Sequence, residues 1–167
     1  PKTGRRLSST EVLSLRELDG FDAFFDDITD SAEVMGIGHL AITAEAGVGQ
    51  FEVTMKHGPA LHIADNVILL KELIKGTARN HGMAATFVAK PFATESGNGL
   101  HTHFSVLNHA GENVFRDEEI LMSAVAGCLK SFSASTLFFA PYINSYDRFV
   151  TGAHAPTSAT WGFENRT

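Results

Sequence analysis

His39-Leu40-Ala41-Ile42-Thr43-Ala44-Glu45-Ala46-Gly47-Val48-Gly49-Gln50-Phe51-Glu52-Val53-Thr54-Met55 is the stretch on which the fold turns. Two runs of alternating character, His39–Glu45 and Gln50–Met55, flank a short connector of small residues, Ala46-Gly47-Val48-Gly49. That pattern predicts a β-hairpin. With Val48-Gly49 as a two-residue tip, Gly47 faces Gln50, Ala46 faces Phe51, and Glu45 stands directly opposite Glu52. Opposed side chains sit about 4.5–5.5 Å apart at Cβ, where like charges repel. Two readings follow. Either the pair holds a hard divalent cation such as Mg²⁺, which seeks carboxylate oxygens, or the register differs and both carboxylates are surface residues.

Upstream of the hairpin, Phe21, Phe24, Phe25, Ile28, Ala32 and Met35 recur at three- and four-residue steps, an amphipathic helix that Gly36 ends. Asp26, Asp27 and Asp30 fall on its solvated face. Residues 1–20, polar and turn-rich, read as an arm or linker ahead of a domain over 21–167. Downstream, Ala60–His81 carries helical spacing with Gly82 as the stop. Met83–Ala89 and Leu100–Leu107 read as strands on either side of Lys90-Pro91 and a glycine-rich loop, with a turn at Asn108-His109-Ala110-Gly111. Asp117–Phe132 reads as a helix capped by Asp117, with Ile120, Val125, Cys128 and Leu129 inward, and Ser133–Thr167 has no clear period. Strands that alternate in polarity, mixed with helices, predict an α+β domain with one sheet face left free.

Composition narrows the function. Of 167 residues, 44% are apolar and 19% charged, which fits a folded chain. Thirteen basic against nineteen acidic side chains give −6, which argues against a nucleic-acid partner. The single cysteine, Cys128, excludes a disulfide framework and a multi-cysteine zinc site, and fits a reducing, cytoplasmic setting. No unbroken apolar run reaches the roughly 18–20 residues that span a bilayer. No secretory signal follows the basic start, Pro1-Lys2-Thr3-Gly4-Arg5-Arg6. With no initiator Met and no closing element after Glu164-Asn165-Arg166-Thr167, the chain reads as a fragment.

Two further blocks carry chemistry. In Gly97-Asn98-Gly99-Leu100-His101-Thr102-His103-Phe104-Ser105, alternation along a strand puts His101, His103 and Ser105 on one side, behind a glycine-rich approach. Two imidazoles and a hydroxyl so arranged suit a phosphate or a metal. Downstream stand Asn144-Ser145-Tyr146-Asp147-Arg148, Gly152-Ala153-His154-Ala155-Pro156 and Trp161-Gly162-Phe163-Glu164-Asn165-Arg166. Arg148 and Arg166 are planar, bidentate donors for carboxylate or phosphate, or else surface arginines. The other histidines, His39, His57, His62, His81 and His109, read as structural or solvated.

Taken in order, Glu45–Val53, Ala89-Lys90-Pro91 leading to Gly99–Ser105, Asn144–Arg148 and Asn165-Arg166 resemble the glutamine synthetase family over about residues 20–167. The helix before the hairpin and the ending Trp161–Thr167 look most like the γ-glutamylpolyamine branch, which joins glutamate to larger amines. The resemblance implies an α+β catalytic domain whose antiparallel sheet and flanking helices form a cleft between subunits of a ring-shaped homo-oligomer. It implies an ATP-dependent ligase acting through γ-glutamyl phosphate, with Mg²⁺ or Mn²⁺ as cofactor. Glu45 and Glu52 match ligands of one metal and His101 a ligand of the second. His103 and Ser105 match ATP contacts, Ser96 and Gly97 the glutamate subsite, Arg148 the arginine on the substrate carboxylate, and Arg166 the arginine beside the transferring phosphate.

Three departures matter. An asparagine is common at the Ser96 position. Where ammonia-using members carry a glutamate that helps bind ammonium, this chain has His154, so the resemblance implies an amine acceptor. The family's N-terminal β-grasp domain, its other metal-binding glutamates and its C-terminal part fall outside 1–167, so the isolated chain is expected to be inactive. The alternatives are an ammonia-using glutamine synthetase and a non-catalytic relative with a structural or binding role. Neither nucleic acid nor membrane is an expected partner.

Overall fold

A computed structural model describes residues 12–150, 155 and 157–163. The chain divides into two compact units between Phe87 and Val88.

The first unit is a helix pair packed on the predicted hairpin. It contains α1 (Leu15–Asp19), α2 (Asp22–Val34), β1 (Leu40–Ala44), β2 (Phe51–Met55) and α3 (Ala60–Asn80). The expected arm therefore includes a short helix, which begins where the Ser14 hydroxyl accepts from Glu17 N at 3.3 Å. Leu13 N also donates to Ala44 O at 2.9 Å, tying this segment to β1. In α2, Phe24, Ile28 and Ala32 recur at four-residue steps and are buried; in α3, Leu70, Ile74 and Ala78 do the same. Rows at that spacing form ridges that interdigitate with a neighbouring helix, and these six side chains with Ile37 make the core. Phe51 of β2 meets Phe21 and Phe25 edge-on, with ring centroids 5.2 and 5.0 Å apart. Asp27 is exposed on the solvated face, as expected, and its Oδ2 lies 2.7 Å from His81 Nε2, which ties the end of α3 to α2.

The hairpin exists, but its register differs from the expected one. Leu40 pairs with Met55, Ile42 with Val53, Thr43 with Glu52 and Ala44 with Phe51. Glu45 N donates to Gln50 O at 2.8 Å, so Glu45 stands opposite Gln50 and not opposite Glu52. The cause lies at the tip. Gln50 N closes a turn onto Gly47 O at 3.0 Å, and Gly49 takes φ +67°, a region glycine enters without penalty. Gly47 N is then diverted to the Gln50 side chain at 2.9 Å, which leaves Ala46–Gly49 as the loop.

The second unit contains a 3₁₀ turn, Val114–Arg116, then α4 (Glu118–Phe139) and α5 (Ile143–Tyr146). Met83–Ala89 and Leu100–Leu107 form no ladder among the described residues; the one bridge there joins Leu107 to Asn113. Alternation predicts which residues share a face, but a strand also needs a neighbour for its backbone groups. Helix α4 starts as expected, with Asp117 accepting from Glu119 N and Ile120 N at 2.9 and 3.3 Å, but runs to Phe139 instead of Phe132. The added turns bring Leu137, Phe138 and Phe139, all exposed. By length and composition α4 is long and apolar enough to cross a bilayer, although Ser, Gly and Lys130 interrupt it, so the chain has no unbroken apolar run of that length, as expected.

Candidate active site

Glu45 and Glu52 belong to the first unit. In an antiparallel pair, opposed residues share a face and so do residues two apart along a strand. Thr43 opposes Glu52, and Glu45 follows Thr43 by two, so both glutamates lie on one face. The opposite face, carrying Leu40, Val53 and Met55, packs on the helices. A register shift of two residues preserves faces, whereas a shift of one inverts them. The carboxylates are therefore diagonal neighbours, about 7–8 Å apart at the backbone instead of about 5 Å. This weakens their repulsion and leaves both carboxylates on the same face. Glu52 is exposed and accepts from Thr54 Oγ1 at 3.2 Å, while Glu45 is half-buried. The all-oxygen donor pair suits a hard divalent ion. Among the described residues no three His, Cys, Asp or Glu side chains converge to complete a metal cage.

The remaining candidates belong to the second unit. His101, His103 and Ser105 are all exposed. Phe104 between them meets Phe115 edge-on, with centroids 5.8 Å apart. Gly97 and Arg148, 51 positions apart, are in direct contact. A Cβ placed on Gly97 would sit 2.6 Å from Ala89 O, 2.9 Å from Arg148 Nε and 3.1 Å from Arg148 Cδ. One placed on Gly99 would sit 3.2 Å from a terminal guanidinium nitrogen of Arg148. The two glycines thus form a floor along which the arginine lies, and Ser96 adjoins it, half-buried. Burial lowers the Arg148 pKa from the usual arginine value, with no neighbouring charge contributing. The guanidinium remains protonated near neutral pH. A half-buried cation with no paired carboxylate among the described residues can accept an anion, and a planar guanidinium fork suits a carboxylate. His154 and Arg166 lie outside the described residues.

Pattern reading missed the residues that assemble this floor. Asn144 Oδ1 accepts from Lys90 N at 2.7 Å, and Asn144 Nδ2 donates to Lys90 O at 2.9 Å and to Asp147 Oδ2 at 3.1 Å. Asn98 N donates to Ala89 O at 2.8 Å, and its side-chain amide donates to Val88 O at 2.7 Å. The Lys90 ammonium reaches Glu95 O across the same loop. The blocks Ala89-Lys90-Pro91, Gly97-Asn98-Gly99 and Asn144–Arg148, separate in sequence, are thereby one structure. The signal that they belong together was their common membership of the family pattern; nothing local marked Asn144 or Asn98.

The chain is similar to known proteins over most of its length. Residues 1–167 match the family model described as the glutamine synthetase catalytic domain. The γ-glutamylputrescine synthetase PuuA of Escherichia coli K12 is 38% identical over 173 aligned residues, covering 100% of this chain and 37% of that protein. The glutamine synthetase of Pyrococcus horikoshii is 36% identical over 144 residues, covering 84% of this chain and 32% of the relative. Among solved structures, a GmaS/ADP complex superposes with a TM-score of 0.82 at 28% identity, over 98% of this chain and 41% of that one. Plasmodium falciparum glutamine synthetase gives 0.76 at 28% identity, over 81% and 27%. The chain spans about a third of the length of the curated relatives it matches. It belongs to the glutamine synthetase family and corresponds to part of the catalytic domain.

Proposed function

We propose that the intact protein is an ATP-dependent ligase that joins the γ-carboxylate of glutamate to an amine. The observation that carries this reading is the Arg148 guanidinium, half-buried across Gly97 and Gly99 and without a paired carboxylate among the described residues. A carboxylate-bearing substrate supplies the missing anion. Ser96 and Gly97 complete that subsite.

The chemistry asks for positioning and charge neutralisation more than for a protein nucleophile. A γ-carboxylate oxygen attacks the γ-phosphorus of ATP and ADP leaves. The amine lone pair then attacks the acyl carbon, and phosphate leaves carrying the former carboxylate oxygen. Glu45, Glu52 and His101 would hold the divalent metals, Mg²⁺ or Mn²⁺, which neutralise phosphate charge when bound. His103 and Ser105 contact the nucleotide, and Arg166 stabilises the transferring phosphoryl group. His154 takes a proton from the attacking ammonium, acting as general base. A neutral imidazole lacks the fixed negative charge that draws ammonium, so the acceptor is a primary amine with a carbon chain.

The full-chain match to a γ-glutamylputrescine synthetase supports that acceptor class. The reading extends to a cytoplasmic, ring-shaped homo-oligomer, and to a 167-residue chain that is inactive alone because each metal site lacks ligands. The intact enzyme, given glutamate, ATP and either ammonia or a panel of mono- and diamines, should show the larger specificity constant with an amine. Ammonia preferred over every amine would assign ordinary glutamine synthesis instead, and no glutamate-dependent ADP would indicate a non-catalytic relative.

A further inference from the structure

We infer that Asn144 is a positioning residue for the glutamate subsite, acting through Arg148; this rests on the carboxylate-binding role proposed for Arg148. The Lys90 N–H can only donate, so the Asn144 atom facing it is the carbonyl oxygen. The Lys90 carbonyl and the Asp147 carboxylate can only accept, so both hydrogens of the Asn144 amide are committed to them. Three contacts with one amide orientation leave no freedom to flip. No other side chain of this length offers one acceptor and two donors.

The consequence is a closed circuit. From Asn144 one path follows the chain through α5, where Asp147 N returns to Asn144 O at 3.2 Å, and reaches Arg148 in four residues. The other path crosses to Lys90, steps back to Ala89, and passes by the Ala89 O to Asn98 N bond into the loop of Gly97 and Gly99. The Arg148 guanidinium closes the circuit by lying on those glycines. Asn144 is the joint between the arginine and its floor. Releasing it frees the floor from the arginine, and displacement of a substrate-holding group by about 1 Å costs on the order of 100-fold in rate.

The test is made in the intact enzyme with glutamate, ATP and the preferred amine. Asn144→Asp keeps the acceptor for Lys90 N but turns oxygen toward the Lys90 carbonyl and the Asp147 carboxylate; Asn144→Ala removes the joint. Each should raise the glutamate KM on the order of 10- to 100-fold and leave the ATP KM within about 2-fold. In an Arg148→Ala background, Asn144→Ala should add less than about 2-fold, because residues acting as one unit are not additive. Where turnover is too slow to follow, the glutamate dissociation constant is read instead. If Asn144→Ala does not fold, the isosteric Asn144→Asp decides. An unchanged glutamate KM, equal rises for glutamate and ATP, or full additivity on Arg148→Ala would overturn the inference. Should Arg148→Ala itself leave glutamate binding unchanged, the carboxylate-binding reading falls and this inference with it. If Arg148→Ala weakens glutamate and the Asn144 variants do not, only the inference falls.

Discussion

The two halves of the chain solve different problems. In the first, α2 and α3 bury Phe24, Ile28, Ala32, Leu70, Ile74 and Ala78 against one another, and the hairpin lays its apolar face beside them. In the second, Ala140 is the only buried apolar side chain among the described residues, and His101–Ala110 are exposed throughout. Hydrophobic burial orders the first half, whereas amide-to-backbone clamps at Asn98 and Asn144 order the loops of the second. These clamps fix the geometry of the loops locally, through hydrogen bonds between residues distant in sequence.

That contrast can be broken by truncation. Ile28→Ala should destabilise the chain by about 2–5 kcal/mol, the range for a fully buried aliphatic side chain. Leu137→Ala, on the exposed stretch of α4, should change it by less than about 0.5 kcal/mol. Chemical denaturation of the 167-residue chain reads both; equal losses would erase the distinction. A smaller effect tests the floor. Gly97→Ala places a methyl 2.6 Å from Ala89 O, a backbone atom that cannot swing aside. It should cost about 1–3 kcal/mol and lower glutamate kcat/KM roughly 10-fold or more in the intact enzyme. Smallest is Gly99→Ala, whose methyl meets the far end of the flexible Arg148 side chain at 3.2 Å. A loss of about 2- to 3-fold, well under one pKa-unit equivalent of free energy, is expected. Gly99→Ala as damaging as Gly97→Ala would show that the arginine cannot yield, a tighter site than described.

The sequence made the first half readable because its order is periodic. Four-residue steps from Phe24 to Ala32 announce a helix face, and alternation from Leu40 to Met55 announces a hairpin. What failed there was the register. Gln50 spends its side chain on Gly47 N, a choice at the tip that no hydrophobic pattern records. The error of two positions left Glu45 and Glu52 on one face, because an even shift preserves faces. In the second half, the segments read as strands have the right alternation but, apart from the bridge of Leu107 to Asn113, no neighbour to pair with among the described residues. The contact of Asn144 with Lys90 joins residues 54 apart through a single amide, which leaves no trace in composition or period. The roles of His154 and Arg166 rest on the family pattern alone.

The central claim is that the γ-carboxylate of glutamate is activated by phosphorylation before an amine displaces phosphate. Glutamate labelled with ¹⁸O in its γ-carboxylate, supplied to the intact enzyme with ATP and its amine acceptor, tests this directly. Mass spectrometry of the released phosphate should find one ¹⁸O per γ-glutamyl amide formed. Unlabelled phosphate, released at the rate of amide formation, would contradict the account.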